Sequence, residues 1–242
     1  MEDLFSFADD LGPAKIVHAS EPSVGLKAVL VVDNVAKGPA IGGVRMATDV
    51  TTQECIRLAR AMTYKNAAAG LPHGGGKVVL IGNPKMPADA KEERIRALAQ
   101  LLRGEQEYIF APDMGTNEEC MAWVRDEISR VVALPREIGG IPLDEIGATA
   151  LGVVCSTDVA KERVGLKVKG ARVAVQGFGA VGKHAARFLD ERGSLIVSAA
   201  DISGAVYDSD GLDIPALVEH VEAGGMISDF ADGKQIERDS II

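Results

Sequence analysis

The sequence of 242 residues predicts an α/β protein in two domains, residues 1–140 and 141–242, the second built on a doubly wound sheet. Three observations carry this. Short β-branched runs alternate with longer segments of helical period. Both periods break at Gly139-Gly140-Ile141-Pro142, where glycine and proline interrupt regular structure. Beyond the break an apolar run, a glycine-rich turn, an amphipathic helix and a second apolar run follow one another in the order of a βαβ unit.

In the first domain the strand-like runs are Leu26 to Asp33 and Lys77 to Gly82, and a helical pattern lies between them. That helix is expected to open at Thr51, because Thr51 and Glu54 have the spacing of a capping box, and to close at Gly70-Leu71-Pro72. Met62 and Lys65, three residues apart, then share a face. A second helix is predicted over 87–103, a short strand at Tyr108-Ile109-Phe110, and a third helix from Thr116, with Glu119 again in capping-box position. In the second domain a helical stretch from Thr149 precedes strands at Arg172 to Val175 and Leu195 to Val197. No further pair of strong parallel-strand signals follows, so the sheet is expected to be half built, with an exposed edge.

Composition narrows the functional classes. With 47% hydrophobic and 25% charged residues the chain can bury a sizeable core, which disorder would not allow. A net charge of -9 with no basic run argues against nucleic-acid binding, since phosphate recognition needs concentrated Lys and Arg. Absence of a long apolar stretch and an acidic start at Met1-Glu2-Asp3-Leu4-Phe5 argue against a membrane or secretory role and for a cytoplasmic location. Cys55, Cys120 and Cys155 lack metal-ligand spacing and are expected to be reduced core thiols, with no metal site.

The strongest local motif is Gly177-Phe178-Gly179-Ala180-Val181-Gly182, which follows an apolar strand and opens a helix. In a dinucleotide-binding turn the first glycine permits the tight turn, the second lets the backbone approach a pyrophosphate, and the third lets the helix pack closely on the strand. The helix N-terminus then offers free N–H groups to the phosphates. Asp201, about 20 residues on, stands where an acid accepts hydrogen bonds from a ribose 2′-OH and repels a 2′-phosphate. NAD is therefore the expected cofactor, with NADP open through neighbours such as Ser203.

Two stretches of the first domain place charge among glycines. Gly74-Gly75-Gly76 precede Lys77, which begins an apolar strand; such a lysine is expected to be partly desolvated, which lowers its pKa and suits it to act as a base. Asp113 lies in Ala111-Pro112-Asp113-Met114-Gly115-Thr116, between a strand end and a helix start. Taken singly, each has a plain structural account: Lys77 ending its strand in solvent, Lys65 interacting with its helix dipole, Asp113 supporting a turn.

Five motifs in order resemble one family: Gly38-Pro39-Ala40-Ile41-Gly42-Gly43-Val44-Arg45-Met46, Met62 to Gly70, Gly74 to Lys77, Pro112 to Thr116, and Gly177 to Gly182. The chain is similar from about residue 25 onward to the glutamate/leucine/phenylalanine/valine dehydrogenases. The resemblance implies an amino-acid substrate, homo-oligomerisation through the first domain, and a role for each matched residue. Lys65 would pair with the substrate α-carboxylate beside the Gly42-Gly43 backbone. Lys77 would be the catalytic lysine, Asp113 the acid that exchanges protons with the amino group, and Thr149 a neighbour of the nicotinamide carboxamide. Enzymes of this family that act on glutamate present a lysine just before the Gly-Gly pair; here Ile41 stands there, and Met62 adds an apolar wall. Both resemble leucine dehydrogenase and imply a branched-chain aliphatic substrate, because an aliphatic side chain cannot compensate a desolvated carboxylate. The stretch from Asp201 to Pro215 instead resembles the glutamate enzymes. Family members continue past the last residue here, so a C-terminally incomplete nucleotide domain, or a non-catalytic subunit that needs a partner chain, are alternative expectations.

Overall fold

The computed structural model describes residues 5–241; the acidic start, Met1 to Leu4, lies outside them. The chain forms two compact units, Met1–Pro142 and Leu143–Ile242.

Unit one is a five-stranded sheet with helices on both faces. Its strands are β1 (Lys15–Glu21), β2 (Leu26–Asn34), β3 (Ala40–Ala47), β4 (Gly74–Ile81) and β5 (Tyr108–Pro112), in the order β1-β2-β4-β3-β5. The first two and β2–β4 pair antiparallel, whereas β3 pairs parallel with both β4 and β5. The helices are α1 (Thr52–Ala68), α2 (Ala88–Leu101) and α3 (Glu118–Glu127). One sheet face sends Leu30, Val44, Val78, Leu80 and Phe110 into the main core with Ile95 and Leu98 of α2 and Met121 and Val124 of α3. On the opposite face Val31 and Val79 pack against Cys55, Ile56 and Ala59 of α1. Alternation along buried strands thus produces two apolar layers from one sheet.

Some boundaries differ from the sequence reading, each for an identifiable reason. β3 escapes it because Gly42-Gly43 breaks the β-branched signal, yet both glycines are buried between β4 and β5. β4 begins at Gly74 rather than at Lys77, so the lysine sits in mid-strand. Thr51 does cap α1, its hydroxyl accepting from the Glu54 N–H at 3.1 Å. Thr116 does not cap α3; Asn117 does, accepting from the Cys120 N–H, while the Thr116 hydroxyl donates to the Val44 carbonyl at 2.7 Å. Of the cysteines, Cys55 and Cys120 are buried as expected, but Cys155 is exposed.

Unit two contains α4 (Ala148–Val164), β6 (Arg172–Gln176), α5 (Ala180–Asp190), β7 (Leu195–Ala200), β8 (Ala205–Tyr207), α6 (Ile214–Glu222) and β9 (Lys234–Ile236). The sheet order is β6-β7-β8-β9, with β6–β7 parallel and the two later strands antiparallel. Its core joins Phe178, Ala186, Ile196, Ala199, Val206, Leu217 and Phe230. Ala150 and Val154 of α4 pack on Ala185 of α5. β8 and β9, three residues each, are too short to register as strand signals, and β6 stands at an edge of the sheet. No helix among the described residues is long and apolar enough to cross a membrane.

The N-terminal turn is tied to unit one by a buried charge. Asp33 on β2 is fully buried; Arg60 donates to both its carboxylate oxygens, at 2.9 and 3.1 Å, and the Thr63 hydroxyl donates at 2.6 Å. Arg60 also reaches Asp9 at 2.7 and 2.8 Å. Removing one partner of a buried pair leaves an uncompensated charge, so Arg60→Ala should lower the unfolding free energy by about 3 kcal/mol. Asp9→Asn, at an exposed carboxylate, should cost far less. Urea denaturation of the two variants measures the difference.

Candidate functional site

The register of unit one assembles the charged cluster. Val31 of β2 pairs with Lys77 of β4, and the constant offset between Ile41↔Gly75 and Val44↔Val78 sets Gly43 of β3 beside Lys77 on its other side. Gly43 in turn pairs with Ala111 of β5. One row across the α1 face therefore reads Val31, Lys77, Gly43, Ala111. Because Gly43 carries no side chain, the Lys77 ammonium reaches across β3 to Asp113 beyond the end of β5, and Nζ lies 2.5 Å from Oδ2. A Cβ on Gly43 would meet the Asp113 Cβ at 2.6 Å and the Pro112 carbonyl oxygen at 2.7 Å.

Lys77 is only 5% exposed, which excludes the reading of a strand-ending lysine in solvent. The Asp113 side chain keeps 20% exposure, so the pair opens outward on the carboxylate side. Burial pushes the Asp113 carboxyl up, but the hydrogen bond and charge of Lys77, the Met114 N–H and Arg45 outweigh it and hold the group below the usual carboxylate range. The ion pair is accordingly intact above that range and is lost as pH falls through the depressed folded value. Arg45, two residues after Gly43, donates from Nε to the same Oδ2 at 3.1 Å and from Nη1 to Glu54 of α1 at 2.7 Å. Sequence reasoning gave Arg45 no role of its own and Glu54 only that of capping-box partner to Thr51, although an arginine inside an otherwise apolar strand was a visible signal.

The other residues singled out in this unit fall on the same face or at its rim. Ile41 shares it with Gly43 by strand alternation and is partly exposed. The backbone of α1 crosses it closely at Gly75, where a Cβ would meet the Thr63 nitrogen at 2.0 Å. Gly75 therefore serves helix packing. Met62, beside Thr63, is partly exposed; Lys65, in the last turn of α1, is exposed and has no ion-pair partner among the described residues. The Gly42 carbonyl is already engaged by the Tyr108 hydroxyl at 2.7 Å, and a Gly42 Cβ would meet the Gly76 carbonyl oxygen at 1.8 Å. Cys55, nearby on α1, is no nucleophile: burial pushes its thiol up to about 12.

In unit two the three glycines of the turn have different surroundings. Gly177 has φ 94°, a left-handed conformation that favours glycine; a Cβ on Gly179 would project into open space; one on Gly182 would meet the Gly177 carbonyl oxygen at 1.8 Å. The Gly177 and Phe178 N–H groups both donate to the Ala200 carbonyl, which folds the turn over the end of β7. Phe178 is buried in the core and Val181 is exposed, so neither side chain blocks the turn. The first turn of α5, beginning at Ala180, carries no side-chain cap, leaving its N–H groups free for a phosphate. A cleft of about 640 Å³ is lined by Gln176 to Gly179, Ala200, Asp201, Ile202 and Arg238. Asp201 Oδ1 accepts from the Ser203 N–H and hydroxyl, and Oδ2 from the Ile227 N–H at 3.2 Å. Burial raises this carboxyl, but the Ser203 hydrogen bonds and the Ile227 N–H prevail and hold it low, as an anion. Thr149 is exposed in the first turn of α4.

Residues 14–130 match the Glu/Leu/Phe/Val dehydrogenase dimerisation domain, and residues 139–241 match the glutamate/leucine/phenylalanine/valine dehydrogenase domain. The chain belongs to this dehydrogenase family. Among its relatives are the NADP-specific glutamate dehydrogenase of Saccharolobus shibatae, 35% identical over 86% of this chain and 52% of its own length, and the catabolic NAD-specific glutamate dehydrogenase of Bacillus subtilis, 36% identical over 81% and 49%. The hetero-hexameric glutamate dehydrogenase of Thermus thermophilus, solved in a leucine-bound form, superposes with a TM-score of 0.80 at 31% identity, covering 92% of this chain and 58% of that one. The chain thus spans about half the length of the curated relatives it matches. The dehydrogenase family accounts for the α/β architecture of both units.

Gly43→Ala should force Asp113 away from Lys77 and destabilise unit one by roughly 1–3 kcal/mol, the usual cost of overpacking. A crystal structure of the variant and its urea midpoint test this; an unshifted Asp113 with unchanged stability would refute the role given to the glycine gap.

Proposed function

We propose that this chain carries the catalytic residues of an NAD-linked amino-acid dehydrogenase that oxidatively deaminates an L-amino acid to the 2-oxo acid and ammonia. The observation that carries the reading is the Lys77–Asp113 pair, held on a sheet face between apolar layers yet open at the carboxylate. Burying two charges costs several kcal/mol per ion, and such pairs are weak contributors to stability, so a reactive role is the better account of this one.

The roles follow from position. Lys65, exposed and unpaired among the described residues, is suited to hold the substrate α-carboxylate. Asp113, an anion by its surroundings, accepts a proton from the substrate ammonium group and returns it to the departing ammonia. The Lys77 ammonium polarises the carbon–oxygen bond forming at Cα and, paired with Asp113, passes protons to and from the attacking water. Bound nicotinamide dinucleotide would supply the hydride acceptor. Gly177, Gly179 and the uncapped start of α5 fit its pyrophosphate and Asp201 fits a ribose hydroxyl, while Arg238 at the same cleft offers a countercharge should a 2′-phosphate be present.

For the substrate, Ile41 favours a branched-chain aliphatic amino acid, leucine-like: it is partly exposed on the reactive face and brings no positive charge, and Met62 of α1 adds a flexible apolar surface. A glutamate substrate is the second reading, supported by the glutamate dehydrogenases among its relatives. A homo-oligomer is proposed, in keeping with the dimerisation domain matched by residues 14–130. The hetero-hexameric likeness favours the further alternative of a subunit that needs a different partner chain.

NAD reduction at alkaline pH with L-leucine, L-valine, L-phenylalanine and L-glutamate separates these readings. Turnover of an aliphatic substrate should fall by on the order of 10² or more in Lys77→Ala, the scale of a lost acid–base group. Ile41→Lys should move the preference toward glutamate; a wild-type chain that prefers glutamate overturns the aliphatic reading, and turnover only with an added second polypeptide supports the partner-dependent one. Separately, Gly182→Val should weaken NAD binding at least about tenfold in calorimetry, because its side chain would displace the turn.

A further inference from the structure

We infer that Arg45, anchored by Glu54, is a positioning residue that holds the Asp113 carboxylate on Lys77 and keeps it ionised for proton exchange; the inference rests on the role proposed for Asp113 in the preceding subsection. The geometry is a relay of three elements. Glu54 lies in the first turn of α1, where a carboxylate also interacts favourably with the helix dipole. Its Oε1 accepts from Arg45 Nη1 at 2.7 Å, and the Nε of the same guanidinium donates to Asp113 Oδ2 at 3.1 Å. Both cations, Arg45 and Lys77, converge on that single oxygen.

A planar guanidinium is suited to this task. Its Nε and Nη1 address two carboxylates on different elements in one fixed plane, which an ammonium on a flexible stem cannot reproduce. Arg45 is itself constrained, because strand alternation after Gly43 directs it to the α1 face and its side chain is only 19% exposed. The remaining groups near Asp113 do not substitute for it. The Tyr108 hydroxyl of β5 is committed to the Gly42 carbonyl, and the Cys55 thiol of α1 hydrogen-bonds to backbone carbonyls. Without Arg45, desolvation of Asp113 would be opposed chiefly by Lys77 and the Met114 N–H.

The test is a carboxyl-carbon NMR titration of the full chain labelled with ¹³C-aspartate, with Asp113→Asn identifying the signal. Arg45→Gln should raise the Asp113 midpoint by roughly 1 pH unit, the lower part of the range for loss of a neighbouring opposite charge, since the site is partly solvated. Arg45→Lys should recover part of the shift, and Glu54→Gln, which releases the anchor but keeps the cation, should give a smaller rise. An unchanged midpoint in folded Arg45→Gln overturns the inference, and if that variant does not fold, the same criterion passes to Glu54→Gln. In the turnover assay, the acid limb of kcat/KM should move up with the NMR midpoint; a midpoint that moves while the limb stays fixed overturns the positioning role in catalysis. The NMR result is independent of turnover, so a shifted midpoint together with unimpaired turnover in Lys77→Ala would sink the catalytic reading and leave the hold of Arg45 on Asp113 standing.

Discussion

The ion pair between Lys77 and Asp113 sets the terms for unit one. A lysine in the middle of a buried central strand must find a counter-charge or forfeit several kcal/mol, and its row neighbours on the α1 face are Val31 and a glycine. The counter-charge comes from beyond the next strand, so the intervening position must be empty, which is the part Gly43 plays. The same constraint orders the surroundings: α1 crosses tightly at Gly75, and Arg45 and Glu54 tie Asp113 back to the start of that helix. The glycines here are packing residues before they are anything else.

In unit two the same residue type serves the phosphate site proposed above. A phosphate site needs N–H groups that no protein acceptor has taken, and it needs backbone within reach. Gly182 lets α5 start directly above the turn, Gly177 reverses the chain, and Gly179 leaves the approach open. Asp201 is held in place by Ser203 and Ile227, which fixes its carboxylate at the end of β7 instead of leaving it to solvent.

Overall similarity to glutamate dehydrogenases coexists with an aliphatic side chain before Gly42 because the two properties reside in different places. Identity of 35–36% to relatives reflects the cores and turns that build the family fold. Choice among amino-acid side chains depends on one or two contacts, where a charge present or absent outweighs many shared packing residues.

Much was legible in the sequence because it depends on local chemistry. Strand and helix periods gave the α/β class, the capping box placed the start of α1 at Thr51, and the spacing of Gly177, Gly179 and Gly182 announced its turn through steric needs that any sequence displays. Lys65, Lys77 and Asp113 were also named from the sequence, but by resemblance; local chemistry alone left each with an ordinary structural account. What only the tertiary structure decided was adjacency. That Lys77 faces Asp113 across Gly43, that Arg45 and Glu54 join them, and that Gly75 serves helix packing all follow from sheet order and register. Register is set by long-range pairing between strands that the chain does not place next to one another, and a sequence read along its length contains no term for that pairing.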